Sequence, residues 1–161
     1  MKFKTFITMM VVSLTIVFGM CSCGSDDDEP EVAVAAQVIG SYTGEEILTV
    51  MGEVFNSTPT YVFTQSSDIA VDMTIPASDG GSMVLPSLPV KNIPLAKTDN
   101  TITGKLASYT GVVTNDQGAE KSYTVSDLVV IFSGKAVVVT YTLKYGNMPF
   151  TFAGQFTGTK K

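Results

Sequence analysis

Few side chains in this sequence are equipped for chemistry, and they fall into two groups. Cys21 and Cys23 lie within Phe18-Gly-Met-Cys-Ser-Cys-Gly-Ser-Asp-Asp-Asp-Glu-Pro30, and the carboxylates Glu45, Glu46, Glu53, Asp68 and Asp72 follow. Two carboxylates held together would supply the acid and base of a glycosidase-type reaction. These five sit on segments that read as polar faces of surface strands, where a carboxylate serves solvation, so the chain is expected not to be an enzyme. The sequence contains no His, Arg or Trp. That removes His-assisted Ser or Cys nucleophiles, His or Cys metal sites and Arg clamps. Gly80-Gly81 and Gly111 lack the spaced glycines and the lysine of a phosphate loop. No metal and no cofactor are expected.

The cysteines have a different setting. Lys2 and Lys4 open the chain, residues 5 to 20 carry no charge, and small residues follow at Ser22 and Gly24, which is the order of a secretory signal. The uncharged run is short of the roughly 20 apolar residues of a spanning helix, and no basic cluster follows it. The region resembles the lipobox of bacterial lipoproteins, in which a small residue precedes the cysteine that is diacylated before cleavage. Ser22 favours Cys23 as the lipidated residue; Cys21, behind the bulky Met20, is the alternative. The leucine usual three residues earlier is Met20 for Cys23 and Phe18 for Cys21. The resemblance implies a signal peptide over residues 1 to 22 and an acyl anchor that holds the protein on a membrane without crossing it. The run Ser25-Asp26-Asp27-Asp28-Glu29 is similar to the acidic export tag of Bacteroides-type lipoproteins carried to the cell surface. It reads equally as a solvated spacer kept extended by like charges. The expected location is the outer membrane, lipid-anchored and exposed at the cell surface, with a periplasm-facing anchor as the other orientation.

Removal of residues 1 to 22 leaves about 139, enough for one domain with a substantial core. Eight lysines and fifteen acids remain, a formal charge of −7, and five of those acids lie in the tether, so the folded part carries about −2. A weakly charged domain without a basic patch offers nothing to a phosphate backbone, and no nucleic acid partner is expected. Residues 23 to 37 are read as the lipidated cysteine and a flexible tether, with Val32 to Gln37 a linker or a short first strand. Residues 38 to 161 form the domain.

From residue 32 onward the sequence is rich in Val, Thr, Tyr and Phe, with Gly, Asn, Asp and Pro every eight to fifteen residues, and shows no helical period. Val38 to Phe55 reads as a long strand or bent pair kinked at Gly40, Gly44 and Gly52. Ile69, Val71, Met73 and Ile75 alternate with Ala70, Asp72 and Thr74 as a half-buried antiparallel strand. Met83 to Leu95 contains Pro86, Pro89 and Pro94, each of which removes a ladder donor, and is expected to be an edge strand or crossing loop. Ser122 to Val125 and Asp127 to Phe132 read as separate pieces, the second apolar on both faces and so central. The last hairpin is plainest: Val137, Val139, Tyr141, Leu143 and Tyr145 share one face, and Phe150, Phe152 and Phe156 continue it after a turn. The predicted fold is all-β, an antiparallel barrel of about eight to ten strands, closed or partly open.

Tyr145-Gly-Asn-Met-Pro-Phe150, Phe156-Thr-Gly-Thr-Lys160, Val38-Ile-Gly-Ser-Tyr-Thr-Gly44 and Leu88-Pro-Val90 resemble the calycin-like lipoproteins of Bacteroides-type bacteria. The resemblance covers nearly the whole mature chain and implies a lipocalin-like barrel. The lipocalin Gly-x-Trp has Gly40-Ser-Tyr42 in its place. Barrels of this class often hold one small apolar ligand, so a non-catalytic binder of a small hydrophobic molecule is expected, with Tyr61, Phe63, Leu85, Leu88, Tyr141, Phe150 and Phe152 as the candidate lining. The same residues also suit an ordinary filled core. The alternative function is a surface module that binds a protein or glycan without a ligand cavity.

Overall fold

Alternate residues of the long strands point inward, and this alternation builds the architecture. A computed structural model describes residues 32–79 and 84–161. The signal segment, Cys21, Cys23, the acidic run 25–29, the Gly80-Gly81 pair and Met83 lie outside the described residues. A short helix, α1 (Val34–Val38), precedes β1 (Gly40–Val50), β2 (Glu53–Ser57), β3 (Thr60–Ser67), β4 (Ala70–Ile75), β5 (Ser78–Asp79), β6 (Val84–Leu85), β7 (Leu88–Thr98), β8 (Thr101–Thr114), β9 (Glu120–Ser133), β10 (Ala136–Tyr145) and β11 (Phe152–Lys160). Eight strands pair antiparallel in the order β1-β3-β4-β7-β8-β9-β10-β11, and β11 returns to β1. The result is a closed barrel. β2 is an extra strand beside β1, and β5 with β6 forms a separate two-stranded ribbon. All of these pairings fall within the compact unit Val32–Lys161, which therefore carries its own core.

The last hairpin is as expected: Val137, Val139, Tyr141, Leu143, Tyr145, Phe152 and Phe156 are all buried, and Phe150 is half-buried just before β11. Two bulges reset the inward phase elsewhere. At Asp127, with φ 53°, the ladder shifts, so Tyr123 and Val125 point inward before it and Leu128, Val130 and Phe132 after it. The two expected pieces are thus one strand. Its other face is less buried than predicted, since Ile131 stands on the barrel's outer surface.

The Pro-rich stretch is neither a crossing loop nor a terminal strand: Leu88–Thr98 is β7, between β4 and β8. Its prolines are tolerated because β8 pairs only with Leu95 to Thr98, leaving Leu88 to Pro94 bonded on the β4 side alone. A bulge at Asn92, φ 56°, lets both Val90 and Ile93 face inward, and Asp72 pins it by accepting bonds from Asn92 N and Lys91 Nζ, each at 2.9 Å. Burial alone would raise the Asp72 pKa, but these donors outweigh it and hold the carboxyl below its ordinary value. Where β7 and β8 diverge, Tyr123 reaches across Gly111, its cross-strand neighbour, and donates to the Pro89 carbonyl. A Cβ on Gly111 would lie 2.4 Å from that ring.

Residues 32 to 37 are not simply tether. Val34–Val38 forms a helical turn with Ala35 and Val38 buried, Ala35 N bonded to the Asp68 carbonyl at 3.0 Å, and Tyr42 donating to the Val38 carbonyl at 2.9 Å. Five residues are too few to show a period in sequence; the helix is held by packing. Ile69, expected to point inward, lies exposed at the turn before β4. Gly52 is not a kink but, with Met51, the two-residue turn joining β1 to β2, both at positive φ.

Closure rests on Gly44. It pairs with Gly158, and a Cβ there would fall 2.0 Å from the Thr157 carbonyl oxygen, which belongs to rigid backbone. Gly44→Ala is expected to destabilise Val32–Lys161 by about 1–3 kcal/mol, the usual cost of forcing a methyl into a packed site. Urea unfolding followed by circular dichroism checks this, and an unchanged midpoint would contradict it.

Candidate functional site

On β1 the inward positions are Tyr42, Gly44, Glu46, Leu48 and Val50, so the phase of the strand carries one carboxylate into the interior. Glu46 is 4% exposed and is the one charged side chain buried among the described residues. Its Oε1 accepts from Tyr61 Oη of β3 and from Tyr141 Oη of β10 at 3.1 Å, and its Oε2 accepts from Ser57 Oγ of β2 at 3.1 Å. The two phenol oxygens are 3.2 Å apart. Three hydroxyls converging on one carboxyl suit the acceptor-only carboxylate form, and they meet the demand that a buried charge be hydrogen-bonded.

The surroundings fix the geometry. Tyr61 stacks on Phe156, the cross-strand neighbour of Glu46, with centroids 4.2 Å apart and planes inclined by 24°. Tyr141 lies over Gly154, opposite it on β11, where a Cβ would be 2.2 Å from the ring. Both phenols titrate above their ordinary range. For Tyr61 burial is the largest cause, followed by the charges of Tyr141 and Glu46. For Tyr141 it is again burial, then the charge of Glu46, with the contact between the two phenol hydroxyls acting in the opposite sense.

Ser57 connects this cluster to the surface. It lines an open groove of about 590 Å³ at the end of the barrel away from α1, whose walls include Leu48, Val54, Phe55, Pro59 and Ala77. Val54 is 55% and Phe55 38% exposed, both on β2. β2 pairs only with β1 among the described residues, so its outer edge is open. A second open groove, of about 550 Å³, lies at the α1 end beside Gln37, Lys97 and Asp99.

The seven residues expected to line a ligand site do not converge on one. Tyr61 and Tyr141 meet at Glu46. Phe63 packs edge-on against Tyr42 and Phe132. Phe150 and Phe152 pair with each other, and Leu85 and Leu88 join the core. None of the seven lines the groove beside Ser57. Of the five carboxylates read as solvated, Glu45, Glu53 and Asp68 are exposed and Asp72 is half-buried, but Glu46 is not solvated. The signal for it was present: Tyr42, Leu48 and Val50 share one parity, and Glu46 falls on it.

The chain matches no protein-family model and no curated protein. Among solved structures it is similar to a putative outer membrane protein from Bacteroides fragilis, with a TM-score of 0.63 and 20% identity, over 80% of this chain and 53% of that one. The likeness is one of fold. The chain spans about half the length of that solved protein.

The phenols generate a pH prediction. Folded Tyr61 and Tyr141 keep their protons where the unfolded chain releases them, near the ordinary value of 10.0. The folded state then binds more protons, so their contribution is intact below about pH 10 and is lost as the pH rises beyond it. Thermal melting across that range is expected to show a falling midpoint. Tyr61→Phe is expected to flatten the fall while costing about 2 kcal/mol near neutral pH, because it removes a donor from a buried carboxylate. A wild-type midpoint independent of alkaline pH would contradict the assignment.

Proposed function

We propose that this protein is a lipid-anchored lipoprotein of the outer membrane, exposed at the cell surface, that binds a small hydrophobic ligand without catalysis. The observation that carries the ligand reading is the groove beside Ser57. Its walls set the apolar Leu48, Val54, Phe55 and Pro59 beside the polar Asn56, Ser57, Thr58 and Ser78, and its volume of about 590 Å³ falls within the roughly 300–1,000 Å³ typical of ligand sites. The ligand therefore sits at the mouth of the barrel rather than among the buried aromatic rings. Catalysis is not part of this reading: the five carboxylates supply one buried member, Glu46, and no acid and base pair. The anchor rests on Cys23 behind Ser22, and the location draws support from the Bacteroides fragilis neighbour, itself a putative outer membrane protein. Membership of the calycin-like lipoproteins rests on the motifs quoted from the sequence and on the shared barrel.

One observation favours a second reading, a surface module for a protein or glycan. Among the described residues the outer edge of β2 is unpaired, which leaves backbone donors and acceptors open beside Val54 and Phe55, the arrangement used in strand addition.

Native mass spectrometry of Val32–Lys161 purified from bacteria, then incubated with a mixture of fatty acids and sterols, separates the two. A reproducible lipid-sized mass shift, lost in Phe55→Asp, is expected. A clean apo mass under both conditions would overturn the ligand reading and turn the search to surface cross-linking of a protein or glycan partner.

A further inference from the structure

The buried carboxylate says what kind of ligand the groove would take. Among the described residues the ion pair present is Lys91–Asp72, on the outer surface, so Glu46 is held by hydroxyls alone and no cation neutralises it. Its two oxygens are not equivalent. Oε1 receives both buried phenols, whose rings are locked against Phe156 and over Gly154. Oε2 receives a single neutral hydroxyl at 3.1 Å, from Ser57. That residue is exposed, stands on the strand with the open edge and lines the groove. The one replaceable donor on the buried charge is thus the one that faces the groove.

An ammonium group is the better partner for that oxygen. Its hydrogen bond to a carboxylate is charge-assisted, shorter and stronger than that of a neutral hydroxyl. It also supplies the positive charge that a buried carboxylate otherwise lacks. We propose that the groove is specific for amphiphilic amines: the ammonium displaces the Ser57 hydroxyl from Glu46 Oε2, and the hydrocarbon body lies along Leu48, Val54, Phe55 and Pro59. This assignment rests on the groove reading given above and adds the chemical class. An alcohol gains no charge compensation there, and a fatty carboxylate is repelled.

Octylammonium, octanol and octanoate, identical in their chains, form the test. Calorimetric titration into Val32–Lys161 at neutral pH is expected to rank ammonium above alcohol above carboxylate, with about a tenfold or greater gap between the first two, as expected for exchanging a neutral for a charge-assisted bond. Glu46→Gln is expected to bring octylammonium down to the level of octanol while leaving octanol unchanged. Ser57→Ala, which removes the hydroxyl that the ammonium displaces and leaves both phenols on Oε1, is expected to keep or widen the preference. Equal binding of octylammonium and octanol by the wild-type protein would overturn the amine assignment and leave the groove reading standing, as would a preference that survives Glu46→Gln. Failure of all three probes to bind would overturn the groove reading and the assignment with it.

Discussion

The antiparallel ladder between β1 and β11 is the constraint on which the molecule depends. It joins the first long strand to the last over nine consecutive residue pairs, from Tyr42 with Lys160 to Val50 with Phe152. Everything inside the barrel presupposes it. Phe156 reaches the underside of Tyr61 only because it lies opposite Glu46 in this register, and Leu48 faces the groove only because Gly154 is its partner. A slip by one residue would turn Glu46 outward and the exposed Glu45 inward. The contact is also the most distant in sequence, so its loop-closure cost falls late, after the hairpins between have formed.

Much of this architecture was legible because local pattern and global position agreed. β10 and β11 carry strict alternation on both sides of a turn, and nothing in the tertiary structure disturbs it. The sequence is harder to read where one residue resets the phase. Asp127 and Asn92 each insert a bulge, and an alternating template laid over β9 or β7 then assigns half the strand to the wrong face. Prolines misled for a related reason. Pro89 and Pro94 do lack ladder donors, but β7 has a free side where they sit, so a barrel strand accommodates them. The α1 turn left no signal at all, since five residues, four of them small and apolar, become a helix only when the Asp68 carbonyl and the core are there to hold them.

The chemistry was legible in part. Tyr61 and Tyr141 stood out as aromatic residues on inward faces, and they are indeed brought together, but by Glu46 rather than by a ligand cavity. Glu46 was grouped with its exposed neighbours because an acid on a strand is usually solvated. The parity of Tyr42, Leu48 and Val50 outweighs that habit. The groove was out of reach, since it depends on β2 folding back beside β1 and on Ala77 arriving from the far side of β4. No local pattern encodes that meeting.

The direction in which the chain comes into the barrel has a mechanical consequence. Val32 leads into α1, which packs over the end where the β3–β4, β7–β8 and β9–β10 turns gather, and β1 then runs 11 residues, about 35 Å at the usual rise, toward the groove. A pull applied at Val32 would therefore enter the barrel at its α1 end. That end would bear the tension, and the groove beside β2 would lie at the other end of the strand, clear of it.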